Sequence, residues 1–163
     1  MWLPLIPADI LKELGEDADL YQKALRNMAE GYGIGACAYF RRLIEKYITP
    51  LLQLLLEIKK EEGATDLELQ KIEAAIKGKE FSTKTEFAAD IAPESIKIQG
   101  MNPLRKLHEL LSISLHSLEE EKAMEVADAL SNTLQFVIRQ LRTHYEERKA
   151  YIESMKKLSK LSL

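Results

Sequence analysis

The chain has 163 residues, 46% of them hydrophobic and 30% charged, with a formal net charge of −3, seven glycines, five prolines and one cysteine. That length suits one domain with its own core, and so few glycines and prolines argue against an all-β chain built on many turns. The acidic balance lacks the electrostatic footprint of a general nucleic-acid binder. Lone Cys37 excludes an internal disulfide or a Cys-rich zinc cluster within the chain, which fits a reducing, cytoplasmic setting.

The opening Met1 to Pro7 has no basic start and no cleavage site, so it does not read as a signal peptide. Its abruptness suggests a piece excised from a longer protein. Pro7 to Leu14 reads as a short helix with Pro at its first turn and Gly15 as its stop. These first fifteen residues form an entry segment. A bundle core is expected over residues 16–145. The first helix of that core spans Asp17 to Glu30, where Leu20, Tyr21, Ala24, Leu25 and Met28 recur at helical spacing.

The densest run of chemically suggestive residues comes next, from Gly31 to Glu45. Gly31, Gly33 and Gly35 loosen the pattern, and Arg41 and Arg42 follow beside Glu45. A glycine run opening a helix offers free backbone N–H groups to an anion. Gly33, Gly35, Arg41, Arg42 and Glu45 are therefore the candidate ligand-binding residues. The run follows no strand and lacks the Lys-Ser/Thr of a phosphate loop. The plainer reading is close helix packing at Gly31, Gly35, Ala36 and Ala38, with Glu45 pairing one of the arginines across a helical turn.

Apolar spacing continues through Ile48. Pro50 should kink or break the helix just before itself. Leu51 to Lys60 is apolar nearly all round and reads as deep core. The longest apolar run, near Leu51 to Leu56, is broken by Gln53 and followed by Lys59 and Lys60, so no membrane span is expected.

Thr65 with Glu68 has the capping-box spacing and opens a helix through Ile76, stopped by Gly78. Ser82 or Thr83 with Glu86 suggests another start, for a helix to Ile91. Pro93 to Pro103 is a long connection, and its alternating Ser95 to Ile98 has no evident strand partner. Asn102-Pro103 opens a helix carrying Leu104, Leu107, Leu110, Leu111 and Leu115. Ser117 with Glu120 suggests a third capping box. It starts a last helix reaching Leu161, roughly 65 Å long and too long for a compact domain of this size. Residues 146–163 should then project or pack on a partner. The chain reads as all-α, a bundle of six or seven helices with a long C-terminal helix.

Few residues suggest catalysis. His116 stands at a helix junction, where a histidine can titrate, cap or transfer a proton. Arg41, Arg42 and His116 are the catalytic candidates. His108 reads as a surface residue. Arg139 and His144 match a spacing used by a class of helical ribonucleases, but in a straight helix the two lie about 140° apart. They read instead as part of a charged, solvated face. No metal-ligand or cofactor motif is present.

Two blocks together resemble a known helical group. Ala29 to Glu45 (AEGYGIGACAYFRRLIE) resembles the arginine-bearing helix, and Leu110 to Glu125 (LLSISLHSLEEEKAME) the histidine junction and final helix, of a domain of unknown function in bacterial and phage-borne proteins. Those domains look like members of the HEPN superfamily, which includes ribonuclease toxins and defence proteins. The resemblance covers residues 18–145. Active members carry an arginine a few residues before the histidine. Here those positions hold Glu109, Leu110 and Leu111, and Arg105 stands too far back. The resemblance therefore implies a catalytically silent interaction or sensing module that forms a homodimer through its long helices, senses a ligand or binds a partner. The other expectation is a defence-system ribonuclease or nucleotide-binding effector, acting on RNA or a nucleotide through Arg41 or Arg42 with His116.

Overall fold

A computed structural model describes residues 5–161, so the first four residues of the entry segment and the last two of the tail lie outside the described residues. Seven α-helices follow in order: α1 (Ala8–Leu14), α2 (Ala18–Ala29), α3 (Gly33–Glu61), α4 (Asp66–Lys77), α5 (Phe81–Ile91), α6 (Pro103–Leu111) and α7 (Glu120–Lys160). Single turns of 3-10 helix sit at Gly15–Asp17, Glu94–Ile96 and Leu115–Ser117. The all-α bundle with a long C-terminal helix holds. Among the described residues the only β pairing is one bridge, Ile98 to Met101, closed by Gln99 and Gly100 at φ 51° and 75°. The alternation in that connection finds its partner three residues on, across a tight turn of two left-handed residues.

α3 and α7 form the central pair. α2 lies along α3, α5 and α6 pack together against them, α4 leans on α3, and α1 rests on α7. The core follows the sequence periodicities. α3 contributes Phe40, Leu43, Leu52, Leu55 and Ile58, and α7 contributes Ala127, Leu130, Leu134, Val137 and Leu141, each at most 2% exposed. A fully buried Leu or Phe side chain is worth about 1.5–3 kcal/mol, so this seam holds the bundle together. Tyr21 of α2 enters it edge-on to Phe40, with ring centroids 5.3 Å apart. Its hydroxyl meets Ser131 Oγ at 2.5 Å and accepts from Gln135 Nε2 at 2.6 Å, so the buried phenol is satisfied.

Two cap expectations hold. Thr65 and Glu68 exchange both capping-box bonds, and Asn102 Oδ1 accepts from Leu104 N. Two do not. α5 starts at Phe81, ahead of Ser82 and Thr83, and α7 starts at Glu120 with Ser117 taken into the preceding 3-10 turn; neither helix has a side-chain cap. Leu115 likewise lies in that turn and not in α6. Lys84 substitutes for local chemistry in α5. It is 8% exposed, and its Nζ donates to Thr49 Oγ1 at 2.7 Å and to the Ile76 carbonyl at 3.1 Å near the end of α4.

Pro50 does not break its helix: α3 is continuous through it. The proline costs the bond to the Lys46 carbonyl four residues back. Pro50 and Lys46 are both exposed, so that carbonyl faces solvent, while Tyr47, Ile48, Leu51 and Leu52 keep the helix seated in the core. From Glu146 to Leu161 every residue is exposed except half-buried Ile152; Glu147, Arg148 and Tyr151 still border a cleft with Asp90 to Ser95, and α7 leaves the bundle beyond them. No helix among the described residues is long and apolar enough to cross a membrane.

Candidate functional site

The Gly31–Glu45 run divides between a turn and a helix. Gly31 takes φ 81° in the turn between α2 and α3, where its N–H donates to the Met28 carbonyl. Gly33 and Gly35 lie inside the first turn of α3. A Cβ on Gly33 would stand 2.7 Å from the Ala123 carbonyl carbon and from the Glu120 carbonyl oxygen, and closer still to the Met124 nitrogen. The α3 and α7 backbones touch there. Cys37, one turn on, donates its thiol to the Ala123 carbonyl at 3.2 Å. Burial pushes that thiol up to about 11, so it is a packing group and not a nucleophile. The one donor at this helix start aimed at an acid, the Ile34 N–H, is taken by Glu120 Oε2 at 3.1 Å. The glycines thus act in helix crossing, at Gly33 with buried Ala36; Ala38 is exposed and takes no part.

Arg41 is also committed within the fold. Its Nη2 donates to the Ile113 carbonyl at 2.9 Å and to the Leu111 carbonyl. The Leu111 carbonyl ends α6, where main-chain acceptors lack helical partners, and the Ile113 carbonyl lies just past the C-cap Ser112. No ion pair joins Arg41 or Arg42 to Glu45 among the described residues; Arg42 and Glu45 are both exposed. His116 is exposed in the 3-10 turn that follows the clasped carbonyls. Arg41 therefore positions the segment that carries His116, and its Nη2 is spent on doing so. The turn itself packs on α3.

The most connected histidine is His144, which is 9% exposed and not on a solvated face. Its Nδ1 lies 2.9 Å from Ser95 Oγ and its Nε2 2.8 Å from Glu62 Oε1. The imidazole thus ties α7 to the end of α3 and to the turn before α6. A hydroxyl, an imidazole and a carboxylate in series can shuttle a proton. Glu62 and Ser95 are far from His144 in sequence, which is why periodicity alone gave no sign of the contact. Arg139 turns the other way and binds Asp9 of α1 through two bonds of 2.7 and 3.0 Å. Arg142 donates to Glu13 at 2.9 Å. The hydrogen bond from Arg139 holds the Asp9 carboxyl below its usual range, and the Asp9 and Glu13 hydrogen bonds raise Arg139 and Arg142 in turn. Burial raises the Tyr47 phenol beside this cluster. Arg139 and His144 do not converge on a shared site. His108 is half-buried and meets Ser82 Oγ at 2.9 Å.

Beyond these clasps, Tyr151 (60% exposed), Met155 (43%) and Leu158 (54%) recur at three- and four-residue steps on the helix, followed by Leu161 (57%) just past its end. Lys149, Lys156, Lys157 and Lys160 accompany them. Among the described residues no group of three or more His, Cys, Asp or Glu side chains could hold a metal ion. No family model matches the chain, and no curated protein or solved structure is significantly similar to it.

Proposed function

We propose that this chain is a non-catalytic, HEPN-like helical interaction module, acting through self-association or partner binding by the projecting end of α7. The carrying observation is the run of exposed apolar residues Tyr151, Met155 and Leu158 on the end of a helix that leaves the bundle, with exposed Leu161 directly after it. Open apolar stripes at helical spacing are what helix–helix association uses. The clasps at Arg139, Arg142 and His144 support the reading, because they set the direction in which the stripe is presented. The two blocks that carry the family resemblance meet in the fold, at Gly33 against Glu120 to Met124 and at Arg41 against Leu111 and Ile113. Arg41 spent on main-chain carbonyls favours a silent module over a phosphate-cleaving one.

Sedimentation velocity over a wide concentration series tests the proposal. A concentration-dependent shift from monomer to a larger species is expected, abolished by Leu158→Asp with the helical circular dichroism unchanged. A clean monomer throughout, with no change on Leu158→Asp, removes self-association. RNA cleavage lost on His116→Ala would favour the effector reading instead.

A further inference from the structure

A second apolar surface is open on the bundle. Ile96, Ile98, Met101, Pro103 and Phe136 line a shallow groove of about 300 Å³ between the Pro93–Pro103 connection and α7. Ile98 and Met101, which flank the two-residue turn, are 51% and 50% exposed. Phe136, Tyr151 and Leu158 lie within about 60° of one another around α7 at 100° per residue, with Met155 about 100° from Phe136 at the far edge of the stripe. The groove and the tail stripe therefore open on the same side of one helix. They are separated along it by about 22 Å from Phe136 to Tyr151 and about 33 Å to Leu158. Because α7 is a single unbroken helix, the stripe cannot fold back into the groove of its own chain.

A second copy turned antiparallel can fill both. We infer that two copies pair their α7 helices antiparallel about a two-fold axis near Tyr145 to Glu147, each tail lying in the groove of the other. This rests on the self-association reading above and specifies its geometry. A two-fold interface needs a self-complementary surface, and one side of α7 supplies one: apolar groove, polar middle at Gln140 and Glu147, apolar stripe. Charge agrees. Residues 145–161 hold five basic side chains (Arg148, Lys149, Lys156, Lys157, Lys160) and three acidic ones (Glu146, Glu147, Glu153), a net of +2; the whole chain is −3, so the remainder is −5. Antiparallel pairing lays the basic tail along a body whose net charge is acidic and brings Lys157 and Lys160 toward exposed Asp128; the groove lining itself holds Lys106 and no carboxylate, so the apolar contacts and not local charge seat the tail there. Parallel pairing would instead set tail against tail, basic on basic, and leave both grooves open.

Disulfide trapping tests the geometry on the full chain, since native Cys37 is 1% exposed and does not compete. Met101→Cys and Leu158→Cys variants are mixed and mildly oxidised, then run without reductant. A cross-linked dimer from the mixture, and little from either variant alone, is expected. Sedimentation is measured on the same unoxidised samples. A dimer in sedimentation whose Leu158→Cys variant cross-links with itself overturns the antiparallel arrangement and leaves self-association standing. A monomer in sedimentation with no cross-link overturns both. As a check that does not depend on cysteine placement, Met101→Asp should weaken the dimer at least tenfold, as Leu158→Asp does, with an unchanged melting temperature for the monomer. A Met101→Asp dimer as tight as the wild type also overturns the proposal.

Discussion

Replacing Gly33 with alanine separates a packing glycine from an anion-binding one. The added methyl carbon would stand 2.7 Å from two backbone atoms of α7, Ala123 C and Glu120 O, and closer to Met124 N. None of these is the end of a flexible side chain, so the helices themselves must part. Overpacking of that kind costs about 1–3 kcal/mol. Alanine regains at most about 1 kcal/mol in helix propensity, and less at the first residue of a helix. The net loss should be about 2 kcal/mol, or about 4–8 °C in melting temperature for a chain of this size. Gly35→Ala is the matched control. Its methyl would meet only the Asn27 side chain, whose bond to the Lys23 carbonyl is exposed at 2.9 Å. The displaced amide and the propensity gain roughly cancel, leaving stability within about 0.5 kcal/mol of wild type. Urea melts followed by circular dichroism read both variants. A Gly33→Ala protein as stable as wild type, or a Gly35→Ala protein equally damaged, refutes the crossing argument. So does stabilisation of the wild type by inorganic phosphate that Gly33→Ala abolishes, since a ligand bound only to the native state raises stability.

Two further predictions follow from the clasps. Arg41→Ala leaves the Leu111 and Ile113 carbonyls without their donor; at about 1.5–3 kcal/mol for a bond from a charged group, the loss should be about 2–3 kcal/mol, with faster amide exchange over residues 111–118. Arg41→Lys should recover less than half, because an ammonium does not reproduce the planar guanidinium fork. For Asp9, the folded-state carboxyl titrates below its unfolded value of about 3.9. Its contribution is therefore fully present above that value and is lost as pH falls through the lower folded one. Asp9→Asn should be less stable than wild type near neutrality, and the two urea midpoints should converge below about pH 4; a constant gap down to about pH 2.5 contradicts the Arg139 contact.

The bundle was legible because its information is local. Leu20, Tyr21 and Ala24, or Leu130, Leu134, Val137 and Leu141, announce a helix and its buried face together, and Thr65 with Glu68 marks a start within four residues. What escaped depends on residues distant in sequence. Helical spacing offers Glu45 to either Arg41 or Arg42, yet the partners of Arg41 are carbonyls seventy and more residues on. His144 looked solvated because nothing near it in sequence places Glu62 or Ser95 beside it. Pro50 was judged by its intrinsic cost alone, and that cost is small where the orphaned carbonyl faces water and the opposite face is firmly packed. The caps at Ser82 and Ser117 failed for a related reason. Tertiary contacts set where those helices begin, and a capping box is only a local preference.

The three clasps at the root of the long helix have a further consequence. Arg139 on Asp9, Arg142 on Glu13 and His144 between Glu62 and Ser95 hold α7 from different sides. They fix its rotation about its own axis as well as its direction. A continuous helix carries that setting forward without loss, like a keyed shaft. One alanine inserted after Tyr145 would leave every existing side chain of the tail and its net charge as they are. It would turn Tyr151, Met155 and Leu158 by about 100° and advance them about 1.5 Å. What the tail can meet is encoded in the number of residues between His144 and Tyr151 as much as in which residues they are.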